Sequence, residues 1–203
     1  VSKADKAAAV AAIFVGGQSK RMGGVPKGLL RAPGTDEALV DRLVRIAGEA
    51  RLAPVLLGDA RAYVHVAQGV PRIDDDPSGI GPLGGLRAAF AHADGRAVIA
   101  LACDMPFVEA THLGTLLGAR SLADPTDVVD VFAARRSVDA PLEPFLARYD
   151  STRCLPILDG ALAAGERSFQ AFFARARVLP VTIEEGAFRD WDAPADVGSR
   201  APG

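Results

Sequence analysis

Three features of the sequence predict an α/β fold built on an open, mostly parallel sheet with helices on both faces. An apolar run over residues 10–15 breaks into a stretch holding Gly16, Gly17, Gly23 and Gly24. Segments of strand-like and helix-like apolar periodicity then alternate through the first half of the chain. The most apolar strand candidate, residues 97–102, ends in Cys103-Asp104.

The first strand is residues 10–15, an uninterrupted apolar run of the kind buried on both faces. Residues 38–52 place Leu39, Val40, Leu43, Val44, Ile46 and Ala47 on one side and Asp41, Arg42, Arg45 and Glu49 on the other, as in a crossover helix. Pro54 introduces a strand at Val55-Leu56-Leu57, ending at Gly58-Asp59. Residues 61–67 read as a helix, 70–73 as a third strand, and 86–93 as a helix leading to the strand 97–102. Strand-like stretches follow at 127–133 and 138–149; Pro141 and Pro144 predict that the second is an edge or bulged strand. Residues 154–164 and 169–174 are helical, separated by a break at 165–168.

The 203 residues are 49% hydrophobic and 24% charged, which suits one soluble domain over 1–203, with 1–9 a frayed, solvated N-terminus. A formal net charge of -2 lacks the basic excess of a nucleic-acid binder. No stretch is long and apolar enough to cross a bilayer, and the cytoplasm is the expected compartment. Cys103 and Cys154 form no Cys-x-x-Cys pair, which excludes a zinc knuckle or dithiol motif and leaves two buried free thiols. His65, His92 and His112 occur singly and read as surface or helix residues.

Glycines at the end of a buried strand let the backbone approach an anion, and Lys20, Arg21 and Lys27 bring three positive charges within eight positions. That combination suits a triphosphate. The spacing matches neither Gly-x-x-x-x-Gly-Lys-Ser/Thr nor Gly-x-Gly-x-x-Gly, so kinase-type and dinucleotide-binding loops are disfavoured. Asp104 stands at the carboxyl end of a central strand, where open α/β sheets place ligand-binding groups, and a hard Mg²⁺ takes one or two such carboxylates. Alternatively it caps a helix beginning near Val108. Asp74, Asp75 and Asp76 either recruit a cation or nucleotide, or form a solvated turn closed by Pro77 and Gly79.

From Gly16 to Lys27 the chain resembles the nucleotidyltransferase signature Leu-x-Gly-Gly-x-Ser-x-Arg-Met-Gly followed shortly by a lysine, with Phe14 and Val15 ahead of the glycine pair. Gly81-Pro82-Leu83-Gly84-Gly85-Leu86 and Cys103-Asp104-Met105-Pro106-Phe107 extend the likeness, and together they resemble the molybdenum cofactor guanylyltransferases. The resemblance implies a Rossmann-like three-layer sandwich of the nucleotide-diphospho-sugar-transferase type. It implies transfer of GMP from GTP to molybdenum-loaded molybdopterin with release of pyrophosphate, Mg²⁺ as cofactor, and cofactor-delivery proteins as partners. Phe14, Val15, Gly16, Gly17, Arg21 and Lys27 correspond to groups holding the triphosphate. Asp75 matches a nucleotide-facing aspartate, with Asp76 in its place if the loop is shorter, and Asp104 matches the Mg²⁺ ligand. Lys27, Arg21 and Asp104 are therefore the candidate catalytic residues.

The likeness is looser toward the C-terminus. Glu143-Pro144-Phe145 with Arg148-Tyr149 resembles an antiparallel strand with a substrate-facing proline. Arg167 either meets the acidic pterin or belongs to a helix cap; Asp192 is either a second metal ligand or the cap of a short helix entered through Pro194. Five positions depart from the family: Pro26 replaces an aspartate, Gly58 replaces a base-contacting asparagine, Ser168 replaces the second arginine of a Gly-x-Arg-Arg turn, and Asp190 and Asp192 replace asparagines. With Gly58, the base contact must come from backbone or a neighbour such as Asp59. These departures keep two other readings open, a cytidylyl- or guanylyltransferase for another phosphorylated acceptor, and a nucleotide-binding relative without turnover. Retention of Lys27 with Asp104 speaks against the second.

Overall fold

The computed structural model describes residues 7–16, 26–122, 124 and 126–189. Seven strands form one sheet: β1 (Ala9–Phe14), β2 (Ala53–Leu57), β3 (Arg72–Ile73), β4 (Ala97–Ala102), β5 (Val131–Arg135), β6 (Glu143–Asp150) and β7 (Val178–Thr182). Their order is β3-β2-β1-β4-β6-β5-β7, and only β6 runs against its neighbours. β1 is central, pairing Phe14 with Leu57 of β2 on one side and with Ala102 of β4 on the other.

Alternate residues of β1 point to opposite faces, and each face has its own core. Ala9, Ala11 and Ile13 join Val40, Leu43 and Ile46 of α1 (Leu39–Glu49) and Leu113 and Leu116 of α3 (Ala110–Gly118). Val10, Ala12 and Phe14 join Leu83, Leu86 and Phe90 of α2 (Pro82–Ala93), Leu158 of α4 (Ser151–Ala163) and Phe172 of α5 (Phe169–Arg175). The helix after β1 and the helix before β4 thus lie on opposite faces. This is a Rossmann-like three-layer sandwich, and it leaves a crevice where the strand order reverses between β1 and β4.

Several sequence expectations change in the fold. Ala9, expected within a frayed terminus, is the first residue of β1, only 1% exposed and paired with Ala97. The helix expected over 61–67 is a single 3₁₀ turn, Arg61–Tyr63, because Ala67 adopts φ 47°, which a helix cannot continue. β3 keeps only Arg72–Ile73, since Val70 is drawn into a turn by its N–H bond to the Ala67 carbonyl. α2 begins at Pro82, before Leu86; Gly84 and Gly85 hid its first turn from the pattern, while Pro82 is well suited to open it.

The polar residues of 127–130 hold the approach to β5 rather than extending it: Asp130 accepts from Arg153 Nε at 2.7 Å and from the Arg177 N–H at 2.8 Å. β6 is interior, not an edge, but it is bulged, for its pairing with β5 jumps from Ala133↔Ala147 to Ala134↔Glu143. Pro144 falls inside that jump, so its missing N–H breaks no ladder bond with β5, and its carbonyl accepts from the Tyr149 hydroxyl at 2.7 Å. Cys103 and Cys154 are both buried free thiols. His65 and His92 are exposed, and His112 lies in α3.

Phe172 is fully buried and stacks near Tyr149, with ring centroids 6.3 Å apart. Phe172→Ala should lower stability by roughly 3–5 kcal/mol through lost burial and an unfilled cavity. A urea unfolding curve checks this.

Candidate active site

A cavity of about 510 Å³ opens at the carboxyl ends of β1 and β4. Its wall is assembled from segments distant in sequence: Phe14, Val15 and Gly16 at the end of β1, Leu57 and Gly58 at the end of β2, Asp75 after β3, and Cys103, Asp104 and Met105 after β4. Backbone bonds lock these ends together, with Val15 N–H donating to the Leu57 carbonyl at 3.0 Å and Cys103 N–H to the Phe14 carbonyl at 3.1 Å. The rim is therefore as rigid as the sheet.

Lys27 reaches the same place from the 3₁₀ turn Lys27–Leu29. Its Nζ lies 2.8 Å from Asp104 Oδ2, with both side chains about one-fifth exposed at 20% and 22%. Asp104 does not cap the next helix; that is done by Glu109, whose backbone N–H donates to His112 Nδ1 at 3.0 Å. Gly28 seats the lysine turn, because a Cβ there would come within 2.8 Å of the Tyr63 ring and 3.3 Å of Cys103 Cβ. Pro26, in place of the family's aspartate, sits at φ -61°, natural for proline, and its carbonyl starts the turn by accepting from Leu29 N–H.

Glycines shape the opposite wall. Gly58 has φ 89°, and a Cβ there would lie 3.1 Å from Gly16 Cα, so an asparagine would be strained in its backbone and would push Gly16 back by a few tenths of an ångström. A Cβ on Gly85 would lie 2.8 Å from the Phe14 ring and 2.9 Å from Asp75 Oδ1, and one on Gly84 would lie 2.3 Å from the Pro77 carbonyl oxygen. Asp75 is thus fixed at the cavity wall, while Asp76 turns away to Arg87 at 2.5 Å. Burial, and then the neighbouring charge of Asp74, raises the Asp75 pKa above the ordinary carboxylate range. Cys103 is pushed up to about 12 by burial and by the Asp104 charge, so it stays a thiol.

The structure also brings in residues whose role the sequence did not single out. Glu143, Phe145 and Phe188 complete the far wall. The strand resemblance pointed to Pro144, but alternation along β6 turns its neighbours Glu143 and Phe145 to the cavity. Phe145 packs edge-on against Phe14, centroids 5.1 Å apart, and Arg136 lies over Phe188 at 5.5 Å. Burial raises the pKa of Glu143, with Arg136 pulling the other way. The family-like segment Glu143-Pro144-Phe145 marked the strand but not which of its side chains faces inward, which the β6 bulge and alternation decide, while Phe188 arrives from the 3₁₀ turn Glu185–Phe188.

Asp59 does not reach the cavity wall, and Arg167 takes the helix-end place that was its alternative. Asp59 is exposed and paired with Arg61 at 2.5 Å, leaving only the Gly58 backbone at the wall, and Arg167 donates to the Leu162 and Glu166 carbonyls at the end of α4. Gly17, Arg21, Asp190 and Asp192 lie outside the described residues.

A doubly wound sheet with its cavity at the switch point, a lysine–aspartate pair at the centre and carboxylates on the wall defines a nucleotidyltransferase-type fold. The chain belongs to the family of MobA-like NTP transferase domains, whose model matches residues 11–178. It is 34% identical to a probable molybdenum cofactor guanylyltransferase of Opitutus terrae, covering 95% of both chains. It is 31% identical to the molybdenum cofactor guanylyltransferase of Pasteurella multocida, over 84% of this chain and 86% of that one. In fold it is similar to molybdopterin-guanine dinucleotide biosynthesis protein A from Archaeoglobus fulgidus, with TM-score 0.70 at 21% identity, covering 92% and 94% of the two chains. Among the described residues, no helix is long and apolar enough to cross a membrane.

Two outcomes follow from this wall. Gly85→Ala should fold, alanine being the better helix former, yet bind a nucleoside triphosphate on the order of tenfold more weakly because Phe14 and Asp75 must shift; calorimetric titration with GTP measures this. Asp75 titrates higher in the folded than in the unfolded chain, where its pKa is about 3.9, so the folded state binds the extra proton and loses stability as pH rises through that window. Asp75→Asn should therefore raise the urea midpoint at neutral pH, with the gain shrinking as pH falls toward about 4.

Proposed function

We propose that this chain transfers GMP from GTP to molybdenum-loaded molybdopterin and releases pyrophosphate, forming the guanine dinucleotide form of the cofactor. The observation that carries this reading is the Lys27–Asp104 pair, held together at 2.8 Å in the wall of the cavity at the switch point. A cation and a carboxylate side by side suit a triphosphate and its metal ion, whereas a site that only bound a nucleotide would have less need of the acid. The relatives named for molybdenum cofactor guanylyltransferase supply the substrates of the proposal.

The donor set fits Mg²⁺. Asp104 offers a hard oxygen at the cavity centre, and no group of three His, Cys, Asp or Glu forms a closed metal cage among the described residues. Mg²⁺ commonly takes one or two carboxylates and completes its shell with phosphate oxygens and water. When bound, it would supply charge neutralisation at the α-phosphate. Asp104 would hold it there. The Val15 N–H is already given to the Leu57 carbonyl, so the backbone N–H groups of Gly16 and Gly17, together with Arg21 and Lys27, would bind the triphosphate and stabilise the charge that develops on the leaving pyrophosphate, with Phe14 and Val15 lining the cavity beside it.

The acceptor's terminal phosphate oxygen would attack the α-phosphorus in line. A new phosphorus–oxygen bond forms as the bond to the β-phosphate oxygen breaks, and pyrophosphate leaves with the electron pair. No side chain is needed as a nucleophile, because the attacking phosphate is already anionic; positioning two mutually repelling anions is the main task. The Gly58 backbone and Asp75 would face the guanine side, and cofactor-delivery proteins and a cytoplasmic setting complete the reading.

Pyrophosphate release with GTP, CTP, ATP and UTP, in the presence of Mg²⁺ and molybdenum-loaded molybdopterin, tests it. Release is expected with GTP alone. Asp104→Ala and Lys27→Ala should each lower it by about 100- to 1,000-fold, the range for removing one preorganised charge-stabilising group. Turnover of CTP instead would refute the base assignment, and GTP binding without turnover would refute the reaction.

A further inference from the structure

The charges of the cavity are arranged in the order of the strands. Asp75, after β3, packs beside Gly58 at the β2 end; Lys27 and Asp104 occupy the centre, after β1 and β4; Glu143 begins β6 on the far side. With strands about 4.8 Å apart, the three intervals from β2 to β6 separate the two outer carboxylates by roughly 14 Å. That is the reach of a nucleotide placed across the centre.

The outer acids differ from others in the molecule. Asp130, Asp127 and Asp159 are paired with Arg153, Arg177 and Arg87 at 2.7, 2.5 and 2.7 Å. Asp75 and Glu143 accept no hydrogen bond among the described residues, although both are half-buried in the cavity wall. Leaving a half-buried carboxylate unpaired destabilises the protein, and such groups concentrate where a ligand supplies the missing donors. The missing partner at Glu143 is not a phosphate, which a carboxylate repels. It is a neutral group with N–H donors, and the aromatic walls of Phe145 and Phe188 beside it suit a flat ring.

Resting on the reading proposed above, we infer that Glu143 selects the acceptor by accepting two hydrogen bonds from the 2-amino and ring N–H edge of its pterin, with Phe145 and Phe188 flanking the ring. A 2-amino-4-oxo pteridine presents the same donor edge as guanine. One carboxylate at each end would therefore read the same edge on two different heterocycles, while the phosphates of both meet between them.

The test uses the purified full chain and two fluorescent probes, 6-hydroxymethylpterin and its lumazine counterpart, which carries an oxygen where the pterin has its 2-amino group. Wild-type protein should prefer the pterin by roughly 10- to 100-fold, the worth of charge-assisted bonds lost with the amino group. Glu143→Gln should abolish the preference while GTP affinity, measured by calorimetry, stays within about twofold, because the two ends share no contact. Glu143→Asp keeps the charge and should keep the preference with weaker binding of both probes; it also serves if the glutamine variant does not fold. Asp75→Asn should show the converse, weakened GTP with the pterin preference intact. An unchanged preference in Glu143→Gln, no preference in the wild type, or equal loss of GTP and pterin binding would each overturn the assignment. A switch from GTP to CTP would refute the donor-nucleotide reading and leave the probe titration standing.

Discussion

The reversal of strand order beside β1 is the constraint on which the rest of this structure depends. β1 is paired on both edges, so its neighbours β2 and β4 must be reached by connections that leave in opposite directions, and the connecting helices must cover opposite faces. No helix can then cover the point between the ends of β1 and β4. The crevice is a consequence of topology, and its carboxylates come from strand ends or the residues just beyond them, while Lys27 is brought by the 3₁₀ turn Lys27–Leu29.

Close backbone approach finishes what the topology begins. Gly16 and Gly58 touch across the ends of β1 and β2, Gly28 lays the lysine turn on Tyr63 and Cys103, and Gly85 lets Asp75 and Phe14 meet the first turn of α2. Gly58 also shows what one replacement does to the wall. Without a side chain it lets the two loops close together, leaving its backbone and Asp75 on the cavity wall. Asp59, the neighbour in sequence, is turned outward by its bond to Arg61.

The electrostatic pattern separates structure from function. Buried and half-buried acids that fasten elements together have guanidinium partners, as Asp130 does with Arg153 and Asp159 with Arg87. Among the described residues, Asp75 and Glu143 at the ends of the cavity accept no hydrogen bond, and burial raises the pKa of each. Such an arrangement stabilises a complex more than the free protein, the expected trade between stability and a preorganised site.

Local chemistry made much of this protein legible before any fold was known. The apolar periods of β1, α1 and β4, the glycines beside basic residues, and Asp104 at a strand end each express a requirement that neighbours in sequence satisfy by themselves. What remained hidden depended on residues far apart. The first turn of α2 carries glycines that a local pattern counts against a helix but that packing against Phe14 and Asp75 requires. The choice of Asp75 over Asp76 was made by Arg87, and the outward turn of Asp59 by Arg61. Glu143 and Phe145 reach the cavity through a bulge that exists only when β5 and β6 are paired. Sequence therefore determined the sheet and the centre of the site, since both follow from period and composition within short windows. Tertiary structure alone decided the two ends of the cavity, because pairing between distant strands and competition among charges set which side chains face inward.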